Sequence, residues 1–358
     1  MARLGKIEYL SHIPSILEST GKWFLHSGIQ EPSGGVARYY SASELRNRPV
    51  STEITGYFVS AMVYLFERTG REEYLDAAAR AARFLTRQAR NHELKIIPFE
   101  LAPDSPAYFF DCGIIARGLL SIHAVTGEVE YLETAVECGT IMCERSRNGK
   151  DLHPILAMPA LNPLTYEPRW SRSPGCYQLK SAMAWQNLFT VTGETKFRDW
   201  YNQALEVAIG THEGFLPGEE NNEKVMDRLH AYAYFLEGML PAASRAECRQ
   251  AYCRGLTKAA SLLREIGPAF RRSDACAQVL RTRLHCGIPI DRAAAEQEAA
   301  WCRAFQYTDG DARHRDGFSF GSKGGSLLPF VNPVSAAFCM QALDEWETGQ
   351  PATESRLI

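Results

Sequence analysis

Apolar positions along the chain fall into two kinds of helical run. In one kind they recur around most of the helix circumference, as in Tyr57 to Phe66, Ile114 to Val125 and Ala182 to Val191. In the other they form one stripe beside alanine and charge. A repeated string joins the two kinds: Thr69-Gly70-Arg71-Glu72-Glu73-Tyr74-Leu75-Asp76 returns as Thr126-Gly127-Glu128-Val129-Glu130-Tyr131-Leu132-Glu133 and as Thr192-Gly193-Glu194-Thr195-Lys196-Phe197-Arg198-Asp199. Each copy closes an apolar run and opens an amphipathic one, which predicts a helical hairpin with Thr-Gly at its turn. Glycine suits that place because the residue ending such a helix takes a left-handed backbone, and the aromatic that follows packs back across the turn.

Extended in both directions, the alternation gives amphipathic segments near 5–26, 71–90, 128–146, 195–210, 243–264 and 290–303, and apolar ones near 52–67, 111–125, 177–191, 228–240, 273–286 and 333–348. That is six of each, and Thr348-Gly349 closes the last. Helices apolar all round belong inside and helices with a charged face outside, so the pattern predicts an all-α domain over 1–350, an inner ring wrapped by an outer one, with 351–358 as a C-terminal tail. Links from inner to outer helices are a few residues long. Links from outer to inner helices, near 27–51, 91–110, 147–176, 211–227 and 304–332, are long and hold much of the Gly, Pro, Trp and Tyr. One face therefore gathers structured loops together with the N-terminal ends of all six inner helices, whose unpaired N–H groups suit oxygen-rich ligands.

Composition narrows the function classes. With 39 basic against 42 acidic residues and a net charge of -3, no overall positive field exists to hold nucleic acid. The longest nearly apolar run, Phe58 to Phe66, is too short to span a bilayer, and the opening Met1 to Glu8 lacks a signal-peptide core. Ten cysteines without a CxxC pair read as reduced thiols, so a cytoplasmic protein without membrane insertion is expected, as a monomer or homodimer. No complete P-loop or dinucleotide fingerprint occurs, and His285-Cys286 lacks a metal-spaced partner, so no cofactor or metal is expected.

Candidate chemistry collects at the starts of the inner helices. Glu53 and Asp111 open consecutive ones, so in a closed ring both carboxylates point at the same mouth, the arrangement that glycoside hydrolysis needs. The dipole of any helix also favours acids in its first turn, which accounts equally well for each position alone. His230, with Tyr234 nearby, opens the fourth inner run and is the candidate acid, base or hydroxyl partner; a core histidine is the alternative. Arg38 and Tyr39, Tyr108, and Arg169, Trp170 and Arg172 place guanidinium groups and aromatics in three mouth loops, and Tyr57, Tyr177, His212 and Phe318 complete the candidate saccharide-binding set. Loop packing is the competing account of any one of these aromatics. Gly317-Phe318-Ser319-Phe320-Gly321 matches G-x-S-x-G, but the charged stretch before it does not read as a buried strand, so it is taken as a glycine-rich loop. His314, Asp316 and Lys323 lie in the same long loop.

The strings Ser51-Thr52-Glu53-Ile54-Thr55-Gly56-Tyr57, Phe110-Asp111-Cys112-Gly113 through Gly118-Leu119-Leu120, and His230-Ala231-Tyr232-Ala233-Tyr234, set in this alternation, resemble the six-hairpin glycosidase-like superfamily. These (α/α)6 toroids include unsaturated glucuronyl hydrolases, N-acylglucosamine 2-epimerases and bacterial proteins linked to exopolysaccharide synthesis, and the strings look most like the last group. The resemblance implies a saccharide ligand in a funnel at the N-terminal ends of the inner helices. It does not single out one reaction. Neither the His-Pro-Gly signature of the acylglucosamine epimerases nor the Trp-Arg-Gly-rich stretch of the unsaturated galacturonyl hydrolases occurs, so neither catalytic set carries over whole. A glycoside hydrolase using Glu53 and Asp111 with His230 assisting is the first expectation; a sugar epimerase or polysaccharide-modifying protein, with His230 and Tyr57 moving protons, and a non-catalytic glycan-binding protein are the others.

Overall fold

The computed structural model describes residues 15–102 and 104–358. Among the described residues, twelve α-helices alternate as the sequence pattern requires. The outer ones are α1 (Ile16–His26), α3 (Glu72–Arg83, continued by a π-helical stretch Phe84–Ala89), α5 (Val129–Ser146), α7 (Thr195–Thr211), α9 (Ala246–Ile266) and α11 (Arg292–Ala304); the inner ones are α2 (Thr52–Thr69), α4 (Phe109–Thr126), α6 (Leu179–Thr192), α8 (Asn222–Gly238), α10 (Ser273–His285) and α12 (Pro333–Thr348). Each inner helix packs on the next, and α12 returns to α2, so the inner ring closes. The opening Met1–Glu8, and the part of the first expected outer segment before residue 15, lie outside the described residues.

The three repeated Thr-Gly turns and Thr348-Gly349 all end inner helices. Gly70, Gly127, Gly193 and Gly349 have φ of 70°, 73°, 73° and 65°, and each donates its backbone N–H to the carbonyl four residues before it. Glycine also sets the spacing of the inner ring. A Cβ on Gly118 of α4 would lie 2.5 Å from the carbonyl oxygen of Gly56 on α2, and one on Gly113 would lie 2.5 Å from the carbonyl oxygen of Ser181 on α6. These close approaches draw the first three inner helices together. Helix α4 is long and apolar enough to cross a membrane, yet 72% of that window is buried within the ring, which accounts for its composition.

Several details differ from the sequence expectation. Helix α8 begins at Asn222, because Asn221 caps it by accepting from the N–H groups of Glu223 and Lys224. His230 therefore sits two turns inside the helix and does not open it. The long links carry short antiparallel strands that hydropathy did not reveal. Tyr40–Ser41 in the first link pairs with Phe330–Val331 in the last, tying the two ends of the ring together at the mouth. Ala107–Tyr108 pairs with Ile155–Ala157, and Phe270–Arg272 with Gly321–Lys323.

Residues 351–358, expected as a tail, fold back under the narrow end. Leu357 and Ile358 are buried, Arg117 donates to the carbonyls of Glu354 and Leu357 at 2.9 and 2.8 Å, and Lys180 donates to the carbonyl of Ile358 at 3.0 Å. A polar column fills the ring above this plug. Glu237, fully buried, pairs with Arg281 at 2.5 Å and Lys180 at 3.0 Å, and Arg281 donates to Gln341 at 2.9 Å. Charges this deep persist only when paired.

Candidate active site at the mouth of the double ring

A cavity of about 530 Å³ opens where the inner helices begin. Five of the six supply a residue at or near the N-terminal end, Glu53 from α2, Asp111 from α4, Tyr177 from the 3-10 turn leading into α6, Asp274 from α10, and Val334 with the cap residue Asn332 from α12, and α8 supplies His230 from its middle and Tyr234 one turn further on. The long links add Arg38, Phe99, Tyr108, Arg169, Trp170, Arg172 and Phe320. The helix ends converge because the ring has a single axis, and the mouth sheets hold the loops over it.

Glu53 and Asp111 have the electrostatics of an acid–base pair. Burial pushes Glu53 up from 4.5 to about 7, against the favourable charge of Arg38. Burial and the neighbouring charge of Glu53 push Asp111 well above the usual carboxylate range, with Arg38 opposing. One Asp111 oxygen, Oδ2, is buried without a hydrogen-bond partner. Burial of both groups, with the charge of Glu53 added at Asp111, keeps the two from both ionising near neutrality, so the pair holds a proton there, and Asp111 carries the heavier burden. Arg38 is kept near them by an ion pair with Glu100, with its guanidinium 4.7 Å from the centre of the Phe99 ring.

Across the mouth the chemistry is different. Arg272 grips Asp274 with two bonds, Nε to Oδ1 at 2.9 Å and Nη2 to Oδ2 at 2.6 Å, and reaches Asp227 at 2.6 Å. Burial alone would raise Asp274, but Arg272 outweighs it and holds this carboxylate below its ordinary value. His230 is pushed down to about 4, by burial first and by Arg272 second, and so stays neutral. Its Nδ1 lies 2.8 Å from the Gln278 side-chain oxygen, and its ring meets Tyr234 edge-on at 4.4 Å.

Of the residues singled out in the sequence, the cavity brings together Glu53, Asp111, His230, Arg38, Tyr108, Arg169, Trp170, Tyr177 and Tyr234. Four members of the candidate saccharide-binding set do not line it. Tyr57 lies one layer below and donates to the Tyr234 hydroxyl at 3.1 Å. Tyr39 packs against Phe330 on the mouth sheet. His212 is buried against Phe235 with its Nδ1 2.9 Å from the Tyr232 hydroxyl, because it caps the C-terminal end of the outer helix α7. Phe318 is wholly buried in the loop core, and beside it the Ser319 hydroxyl donates to backbone carbonyls, as a turn residue does. His314 packs on Tyr40 and Tyr307, Asp316 donates its N–H to the Tyr307 carbonyl, Lys323 pairs with Glu223, and His285 with Glu345.

Sequence reasoning missed Arg272, Asp274, Phe99, Phe320 and Asn332. Asp274 had a signal: it stands in the first turn of an inner helix, as Glu53 and Asp111 do. Among the described residues, no group of three or more His, Cys, Asp or Glu could hold a metal ion.

No family model matches the chain, and no curated protein sequence matches it. Solved structures do. The cellobiose 2-epimerase from Spirochaeta thermophila is similar with a TM-score of 0.70, at 16% identity over 93% of this chain and 97% of that one. A D-mannose isomerase follows with a TM-score of 0.69 and 11% identity, covering 95% of this chain and all (100%) of that one. The unsaturated glucuronyl hydrolase from Bacillus sp. GL1 has a TM-score of 0.64 and 12% identity, over 95% and 98% of the two chains. The fold is the six-hairpin (α/α)6 toroid. This toroid places its cavity at the N-terminal ends of the inner helices, and the activity has to be argued from the side chains there.

Proposed function

We propose that the toroid is a glycoside hydrolase acting on an oligosaccharide or uronide, with Asp111 as acid and Glu53 as base. The observation that carries this reading is the meeting of Glu53 and Asp111 in one cavity, each displaced upward and Asp111 the more heavily burdened. In the proposed reaction Asp111 gives its proton to the glycosidic oxygen as the bond to the anomeric carbon breaks. Glu53 takes a proton from the water whose oxygen bonds to that carbon, and exchange with solvent restores the pair. The faces of Trp170, Tyr177, Tyr108 and Phe110 suit the apolar faces of sugar rings, and Arg169 and Arg172 at the rim suit a uronate carboxylate.

Three observations support a saccharide ligand: this lining, the unpartnered oxygen of Asp111, and neighbours named for sugar chemistry, among them a hydrolase described as responsible for glycosaminoglycan degradation. A sugar epimerase is the second reading, favoured by the neutral His230 in the same cavity. A glycan-binding protein without turnover has no need of two raised carboxyls in one cavity, so that reading has the least support. Ten unpaired cysteines, nine of them buried, support a reducing compartment, in keeping with a cytoplasmic enzyme.

The test is incubation with neutral oligosaccharides and unsaturated uronyl disaccharides, followed by mass and reducing-end analysis. Hydrolysis splits the substrate, and Glu53→Gln and Asp111→Asn each slow the splitting on the order of 10²- to 10⁴-fold. Products of unchanged mass that take up a carbon-bound deuteron from deuterated water establish epimerisation in its place.

A further inference from the structure

We propose that Gln278 is a positioning residue that holds the His230 ring as its Nδ1–H tautomer, leaving Nε2 as a bare lone pair for the ligand. The inference deepens the reading of the cavity as a saccharide site and rests on it for its consequence in turnover; the tautomer itself follows from the polar column.

Glu237 is the starting point. It is fully buried between Arg281 and Lys180. Burial alone would raise it, yet Arg281 first and Lys180 second hold it below its ordinary value, so it is a carboxylate and accepts hydrogen bonds only. The side-chain nitrogen of Gln278 lies 3.5 Å from Glu237 Oε2. Turning that amide over would set its oxygen against the carboxylate, so the nitrogen faces Glu237 and the oxygen faces His230. A carbonyl oxygen cannot donate, and it stands 2.8 Å from His230 Nδ1. Nδ1 therefore carries the hydrogen. Asp274 makes the same demand from the other side: its Oδ2, already gripped by Arg272, lies 3.5 Å from the same nitrogen.

The groups around the ring are consistent in charge. Burial and Arg272 oppose protonation of His230, while Asp274, Gln278 and Asp227 favour it, and the balance leaves the imidazole neutral. With Nδ1 committed below, the nitrogen left for a ligand is Nε2. A neutral imidazole in water prefers the opposite tautomer, so the site imposes this one. Its consequence is a division of labour: His230 accepts a hydrogen bond from a sugar hydroxyl or water, and Asp111 is the group that donates. Gln278 is held in turn from below, since Arg281 also bonds Gln341, whose side-chain oxygen accepts the N–H of Ile358 at 3.0 Å. The folded-back end of the chain thus braces the floor of the mouth.

The test is long-range proton–nitrogen spectroscopy on the full chain with its histidine rings labelled with nitrogen-15, near pH 7, with the His230 signals identified by their loss in His230→Asn. Wild-type protein is expected to show a protonated Nδ1 and an unprotonated Nε2 at His230, and Gln278→Met is expected to move the ring toward the Nε2–H form. A wild-type ring protonated at Nε2 overturns the proposal, as does a Gln278→Met ring that keeps the wild-type pattern. Should Gln278→Met fail to fold, the wild-type spectrum alone decides. In turnover, Gln278→Met is expected to lower kcat about tenfold with KM nearly unchanged. The spectrum needs no substrate, so the tautomer and the hydrolase reading fail or stand separately.

Discussion

Replacing Glu53 with glutamine should both stop turnover and stabilise the protein, and the second effect has a pH signature. Holding Glu53 at about 7 in place of its ordinary 4.5, at about 1.4 kcal/mol per pKa unit, means that ionising it costs the fold about 3 kcal/mol. The sign follows from linkage. A carboxyl with a raised native pKa imposes no penalty below about pH 4.5, and stability is lost as pH rises through about 7. At pH 8 the wild type carries the whole cost, and Glu53→Gln, neutral at every pH, carries none. The variant should then unfold roughly 4 °C higher at pH 8, given the unfolding entropy of a chain of 358 residues. Near pH 4.5 the two proteins should melt together. Calorimetry at the two pH values, with CD spectra to confirm a common fold, is the assay. An equal gain at both pH values would show a packing effect unrelated to charge, and no gain at pH 8 would show that Glu53 is not held up by burial. Activity should fall in parallel on the order of 10²- to 10⁴-fold, the usual contribution of a general acid or base.

If Glu53 must be ionised and Asp111 protonated, kcat/KM against pH is bell-shaped with its acidic limb centred near 7, and Glu53→Gln removes that limb; a profile flat from pH 5 to 8 contradicts the assignment. Trp170→Ala should raise KM for the saccharide about tenfold with kcat changed little, since it removes a stacking face and no proton-transfer group; a fall in kcat with constant KM would place Trp170 elsewhere in the reaction. Gly118→Ala should destabilise by about 1–3 kcal/mol, because the new Cβ meets backbone oxygen on α2 and neither helix has a flexible side chain to yield. Urea titration with an unchanged m-value reads this directly, and a neutral result would mean that the inner ring has slack at that contact.

The ring architecture was legible because it is written in a local code repeated many times. Thr-Gly before an acidic, aromatic-bearing segment fixes a left-handed helix end, and the same turn occurs at Gly70, Gly127, Gly193 and Gly349. Alternating all-round and one-sided apolarity tells inner from outer. The mouth sheets were not legible, since strands of two or three residues such as Tyr40–Ser41 are too short for periodicity to register. Helix α8 was read late for a related reason: its first residues, Asn222, Glu223 and Lys224, are polar and exposed, so the helix begins with a cap at Asn221 before the apolar pattern appears.

Within the site, what the sequence displayed was helix position; what it concealed was pairing. Glu53, Asp111 and Asp274 occupy the first turns of three inner helices and look alike on paper. The fold makes them opposites: Arg272 two residues before Asp274 secures it with two hydrogen bonds and keeps it ionised, while Asp111 is left with an unpartnered oxygen and a charged neighbour, and so holds its proton. The same selection separates the histidines. His230 and His212 are both candidates for the mouth in the sequence, but α8 directs His230 to the mouth and to Gln278, 48 residues further along the chain, whereas His212 follows an outer helix and stacks on Phe235. A partner that distant is brought near by the packing of α8 on α10. Chemistry in this fold is therefore decided by contacts between successive inner helices, and the α8–α10 contact of His230 with Gln278 determines which nitrogen the ligand meets.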